Sequence, residues 1–327
     1  MSVVAIVSGA ICGGRVKGRT WAIVLLMFVL SACGADSADY DVAYTSPEGV
    51  SVVVAGSSGP TSASLWIDGE LHDLGAAKVA GVFGEDGTVY ANGTSGILNR
   101  ATLWRNGEPS RISGGGATAT GLWVEDGVVY TAGSTGFFDW TTYWVDDELV
   151  RLQQRSLTPP ILAVDGSDVY LGGSTGDLGY PSVWSDGRWN PLEERNAAIS
   201  DLFVENGTTY VAGEYGVSAL AGVWIDNELH PVDDPAAVLT HIFVEDGVIY
   251  LAGFYGAQSI AAYWVDGERF DLSEDSALIA DLFVKDGRVY LVGSHGLTGT
   301  PAFWVDGERT DLADPDAQVH LIFVMDR

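Results

Sequence analysis

Of the side chains able to do covalent, acid–base or metal chemistry, thiols are the scarcest. Only Cys12 and Cys33 occur in 327 residues. Both lie near the N-terminus, so the body of the chain has no disulfide partner and must be held by its core. Five histidines follow. His72 and His230 fall in short strand-like segments. His241, His295 and His320 recur, with Asp201 and Asp281, around related segments, and imidazoles converging with carboxylates are the set from which a metal site could be drawn. No spacing demands it. There are 44 Asp and Glu against 16 Lys and Arg, and turn chemistry and solvation account for the acids in and around the recurring Asp-Gly turns. No Asp-x-Asp-x-Asp-Gly calcium loop, nucleophile elbow or phosphate-cradling glycine loop is evident. The sequence points to no cofactor and gives catalysis no motif. A formal charge of −28 repels nucleic-acid phosphates, and nucleic acid is the one partner class it excludes.

Cys33 has a context of its own. The basic stretch Arg15-Val16-Lys17-Gly18-Arg19 precedes ten apolar residues, Trp21 to Leu30, then Ser31-Ala32-Cys33. Ten apolar residues are too few to span a bilayer and suit the apolar region of an export signal. Leu30-Ser31-Ala32-Cys33 resembles the lipobox of bacterial lipoprotein signal peptides. The resemblance implies cleavage before Cys33, with small residues letting the peptidase bind an extended backbone and the thiol receiving a diacylglycerol. Several acyl chains, palmitate among them, then give durable membrane anchoring. Residues 1–32 are expected to be a signal peptide, 33–40 a lipidated tether and 41–327 the folded body. Losing Arg15, Lys17 and Arg19 takes the charge from −28 to −31. Gly34, rather than Asp, follows the cysteine. By resemblance this implies a cell-envelope address at the outer membrane, where the organism has one. Because a basic stretch normally opens such a peptide, translation is expected to start nearer Val16.

Repetition organises the rest. Trp66, Trp104, Trp144, Trp184, Trp224, Trp264 and Trp304 each open a Trp-x-Asp-Gly-type phrase, spaced by 38 and then by 40 residues five times. Gly pairs keep the same beat, from Gly56/Gly59 and Gly93/Gly96 to Gly293/Gly296. Three residues before each first Gly stands a Tyr, from Tyr90 to Tyr290, with Val53 in the first copy. Each unit of about 40 residues divides into four short strands. In the sixth copy these are His241–Val244, Val248–Ala252, Ala261–Val265 and Glu268–Leu272, with Asp246-Gly247 and Asp266-Gly267 as hairpin turns. The strands are near-continuous apolar runs, which implies burial on both faces. Seven four-stranded antiparallel sheets, each wedged between two others, predict an all-β fold, a seven-bladed β-propeller. Val319–Val324 is an eighth copy of a first strand, with Phe323 in register with Phe203, Phe243 and Phe283. It is expected to complete the first blade; Asp41–Thr45 is its rival for that position.

The Val-Tyr-Leu-Ala-Gly strand resembles the Tyr-x-x-Gly-Gly strand of kelch repeats, although only Gly172-Gly173 supplies the double Gly. Ala302-Phe303-Trp304 with Asp311-Leu312 is similar to a phrase in HAF-type bacterial extracellular repeats. Both resemblances imply a propeller and assign no activity.

In such a ring the hairpins alternate sides. Turns after first and third strands form one monotonous face of Asp, Glu, Asn and Gly. Loops between second and third strands share the other face with the blade-to-blade crossovers, and there the copies diverge. That face carries Phe137, Phe138, Trp140, Tyr180, Tyr215, Tyr255 and His295, with Asp201, His241 and Asp281 nearer the axis. Aromatics and acids concentrated where copies differ suggest a binding face. The expected function is a lipid-anchored binding module for a glycan, a peptide or an envelope protein. One alternative is a propeller-based hydrolase or lyase acting on glycan or peptide, built on the axial residues. Another is a structural scaffold in an envelope complex.

Overall fold

The computed structural model describes residues 44–327 apart from 60–61, 76, 137–139, 156–159, 176–179, 193–195, 235, 257–259 and 273–275. Leu30, Ser31, Ala32, Cys33, Phe137 and Phe138 lie outside the described residues. Within them, 28 strands form seven four-stranded antiparallel sheets, and the chain is a seven-bladed β-propeller. Blade 6 shows the unit: inner strand Ala237–Glu245, then Val248–Tyr255, Ile260–Val265 and the outer strand Glu268–Asp271. The inner strand begins earlier than its sequence pattern suggested, because a β-bulge between Leu239 and His241 carries pairing back to Ala237.

The C-terminal strand closes the ring. Gln318–Asp326 is the inner strand of blade 1 and pairs with Val50–Gly59, placing Phe323 opposite Val53 as Phe243 is placed opposite Tyr250. Of the rival segment, Tyr44 is described. It is buried, its ring packs 4.9 Å from that of Phe303, and its hydroxyl lies 2.8 Å from the Val52 carbonyl oxygen.

Each repeated residue has a physical task. Six of the seven motif tryptophans, Trp66, Trp104, Trp144, Trp224, Trp264 and Trp304, are at most 2% exposed. Each is packed against the preceding blade; Trp304, for instance, lies among Ala252, Ala261 and Tyr263. Burying an indole of about 200 Å² contributes about 5 kcal/mol, and spread round the ring this is the main glue between blades. The motif Asp adopts φ near +50°, as at Asp266 and Asp306, which Asp tolerates better than most residues. Its carboxylate also accepts the backbone N–H of the neighbouring strand, Asp306 from Val289 at 2.9 Å and Asp266 from Ile249 at 3.1 Å. In every blade but the fourth the first Gly of the pair faces a break in register between the first two strands. A Cβ on Gly293 would stand 1.9 Å from the Leu278 carbonyl oxygen, and one on Gly253 would stand 2.0 Å from that of Val238.

Candidate functional site

Three regions of the ring could recognise something: the face of turns, the axis and the divergent face. On the turn face, inner strands end in Glu85, Glu125, Asp165, Glu205, Glu245 and Lys285 around an axial funnel of about 680 Å³. Its aromatic lining is Phe83, Trp123, Phe203, Phe243, Phe283 and Phe323, with neighbouring ring centroids 4.5–6.0 Å apart. Blade 4 places Ala163 in that column. The acids here are structural. Glu245 accepts the backbone N–H groups of Asp286 and Gly287 in the next blade's turn, and Glu205 accepts those of Asp246 and Gly247. Glu85 reaches Gly127, Glu125 reaches Gly166 and Asp165 reaches Gly207 in the same way. At blade 7 the next inner strand is Gln318–Asp326, which belongs to blade 1. The sequence there has Lys285, whose Nζ donates to the Asp326 carboxylate at 3.1 Å.

At the axis, Asp201, His241 and Asp281 occupy one register position on the inner strands of blades 5, 6 and 7. Each carboxylate spans two blades: Asp201 accepts from Leu202 N at 2.8 Å and Ile242 N at 3.0 Å, and Asp281 from Leu282 N and Ile322 N, both at 2.9 Å. Burial pushes both carboxyls up to about 7, against the opposing pull of those N–H bonds. His241 is pushed down to about 4 by burial, and a hydrogen bond to the backbone of Ala280 works the other way. Its Nδ1 lies 2.9 Å from the Thr240 hydroxyl. His320 falls one residue out of this register and is also lowered by burial. Among the described residues no group of three His, Cys, Asp or Glu is placed to hold a metal. The structure uses the axial acids as inter-blade staples and does not assemble the convergent cluster that the residue types could have supplied.

The divergent face is built from the hairpins between second and third strands. Tyr215 packs edge-on to Trp224 at 6.4 Å. Tyr255 donates to Asp271 at 3.0 Å beneath the Arg269 guanidinium, which sits 3.6 Å from its ring centroid. His295 makes the parallel contact one blade on, Nε2 to Asp311 at 2.9 Å, with Arg309 beside it. These rings lean back on the outer strands. Trp140 and Tyr180 start third strands and neither stands without a partner; Tyr180 is 37% exposed. The surface most open to water is aliphatic. Ile97, Val217 and Leu297 follow the turn glycines Gly96, Gly216 and Gly296 in blades 2, 5 and 7 and are 94–102% exposed. Leu98, Val238 and Leu278 add to the same face. The aromatic bias of the sequence reading passed over these tips, although the recurring Gly-aliphatic step was the available signal.

One further place was not singled out by sequence. Between the outer parts of blades 3 and 4 lies a groove of about 670 Å³ lined by Tyr143, Val150, Arg151, Leu152, Trp184, Gly187 and Trp189. Nearby, Gly172-Gly173-Ser174-Thr175-Gly176 spells the letters of a nucleophile elbow. Ser174, however, lies inside a strand paired to Pro181, whereas the elbow needs a strand-to-helix turn.

No protein-family model matches the chain, and no curated protein matches it in sequence. Solved structures do match in shape. The acylaminoacyl peptidase of Pyrococcus horikoshii is similar at a TM-score of 0.57 and 16% identity, over 84% of this chain and 52% of that one. The β-propeller domain of the Trilobed protease from Pyrococcus furiosus gives 0.57 and 15%, over 84% of this chain and 98% of that domain. The WD40 propeller domain of Doa1 gives 0.51 and 13%, over 79% and 83%. At these identities the likeness is one of fold. The chain spans about half the length of the acylaminoacyl peptidase it matches.

Proposed function

We propose that this propeller is an extracytoplasmic binding module, held to the cell envelope by lipid on Cys33, whose divergent face docks a peptide or envelope protein. The observation that carries the reading is the set of aliphatic tips. Ile97 beside Leu98 on blade 2, Val217 on blade 5 and Leu297 with Leu278 on blade 7 are exposed on one face of the ring, and exposed apolar side chains grouped on one face mark interaction sites. Aliphatic tips offer no flat ring to a sugar and suit the side chains of a protein partner.

The test pairs anchoring with recognition. Cys33→Ser should abolish labelling by a palmitate analogue and release the protein from the membrane fraction. The triple change Ile97→Ser, Val217→Ser and Leu297→Ser should remove binding on a peptide array and to envelope proteins crosslinked in cells, with the melting temperature unchanged. Partners retained by the triple variant would overturn the divergent face as the recognition surface. A Cys33→Ser protein that stays labelled would overturn the anchor.

A further inference from the structure

Blade 4 breaks the pattern of its siblings at one place. Six motif tryptophans are sealed in the core, but Trp184 is only partly buried. Directly across from it, on the outer strand Arg188–Pro191, stands Trp189. Opposed residues of an antiparallel pair project from the same side of the sheet, so the two indoles share one face. The same position is Leu71, Pro109, Leu149, Leu229, Arg269 or Arg309 in the other blades. The preceding blade contributes Tyr143, whose ring centroid lies 5.8 Å from that of Trp184 at 53°.

The polar character of this groove is as unusual as its rings. Among the described residues that line it none is acidic, in a chain with 44 carboxylates. Arg151, on the outer strand of blade 3, is exposed and makes no ion pair among the described residues. Indole N–H and guanidinium groups only donate hydrogen bonds, and a phenol can donate as well. Among the described residues the groove therefore offers flat apolar faces, donors and the positive charge of Arg151 with no carboxylate beside it. Its complement has an apolar face, several acceptors and a carboxylate.

We propose that the groove between blades 3 and 4 binds a carboxylate-bearing sugar, a hexuronate unit of an acidic polysaccharide. The C–H face of the pyranose would lie on Trp184 and Trp189, and Arg151 would take the carboxylate through paired N–H donors. A neutral sugar leaves the Arg151 charge unanswered. A peptide strand finds little to pair with, because the outer strand of blade 4 has only four residues and ends in Pro191, whose nitrogen cannot donate. This site lies apart from the divergent face, and either reading can fail without the other.

The full chain should be titrated calorimetrically with short galacturonate and glucuronate oligomers, with neutral galactose and glucose oligomers, and with a peptide library. Uronates should bind at least about tenfold more tightly than neutral oligomers. Arg151→Gln, at an exposed position, should cost uronate binding about tenfold and remove most of its salt dependence. Trp189→Ala should cost about tenfold or more, and Trp189→Phe should retain most of it. If Trp189→Ala fails to melt as the native protein does, the Phe variant and Arg151→Gln carry the test. Uronate binding that is absent, or indifferent to Arg151→Gln, would overturn the proposal. So would peptide binding that requires Trp189.

Discussion

Replacing Asp281 with Asn should alter how the fold responds to pH more than its stability at any one pH. The carboxyl is raised by burial from an ordinary 3.8 to about 7. In the folded protein it therefore holds a proton across a range where the unfolded chain has released it. The stability linked to that proton is fully present below pH 3.8 and is lost as pH rises through about 7. At about 1.36 kcal/mol per pH unit, lowering the pH from about 8 to about 5 should return about 2.6 kcal/mol to the native state. Asn cannot titrate. The stability difference between wild type and Asp281→Asn should accordingly move by about 2.6 kcal/mol in favour of wild type over that range, a relative shift of about 5–10 °C in melting temperature. Scanning calorimetry of both proteins at several pH values measures it directly. The acidic turn face contributes nearly equally to both curves and drops out of the difference. So does His241, whose pKa of about 4 pulls the other way by penalising its protonation in the fold. Parallel curves would show that the Asp281 carboxylate is ionised in the native protein at neutral pH, and would refute the assignment of burial as the dominant influence.

Deleting residues 317–327 removes the inner strand of blade 1 and should abolish the cooperative melting transition; an unchanged transition would contradict closure by that strand. Gly293→Ala brings a Cβ to 1.9 Å from a backbone oxygen and should cost about 3 kcal/mol or more by chemical denaturation. Gly114→Ala, with open space around it, should stay within about 0.5 kcal/mol of wild type. Lys285→Glu sets like charges against Asp326 and should lower stability by about 1 kcal/mol. Adding Asp326→Lys should restore most of the loss, and a double variant no better than the single would mean the ion pair does not join the blades.

The period of the array was legible because packing repeats it. Seven tryptophans and their Asp-Gly turns report blade number, strand count and closure by Val319–Val324 without any coordinates. What a single letter does depends on neighbours from other blades, and that was hidden. Trp184 reads like Trp264; only Tyr143 and Trp189 beside it show that it lines a groove. Tyr215, Tyr255 and His295 read as exposed loop residues, yet a ring at the end of a second strand is long enough to reach back to the outer strand. The first Gly of each pair showed in sequence only as a repeating column. Its need is a close approach at the bulge, which sequence spacing cannot display. Asp201, His241 and Asp281 share a register because they begin equivalent strands, and that register delivers each to the next blade's backbone rather than to one another.

From blade 2 to blade 7 the hydrogen bonds that join blades on the turn face run the same way, each acid reaching forward to the turn of the following copy. This bears on how such an array can grow. A blade duplicated in the middle arrives with its own acid and its own turn, and both neighbours are already fitted to receive it. A blade inserted between blades 7 and 1 would meet Lys285 and Asp326, a link that suits one junction. Copies can therefore be gained or lost among blades 2 to 7 at little structural cost, whereas the junction that closes the ring is the part least open to change.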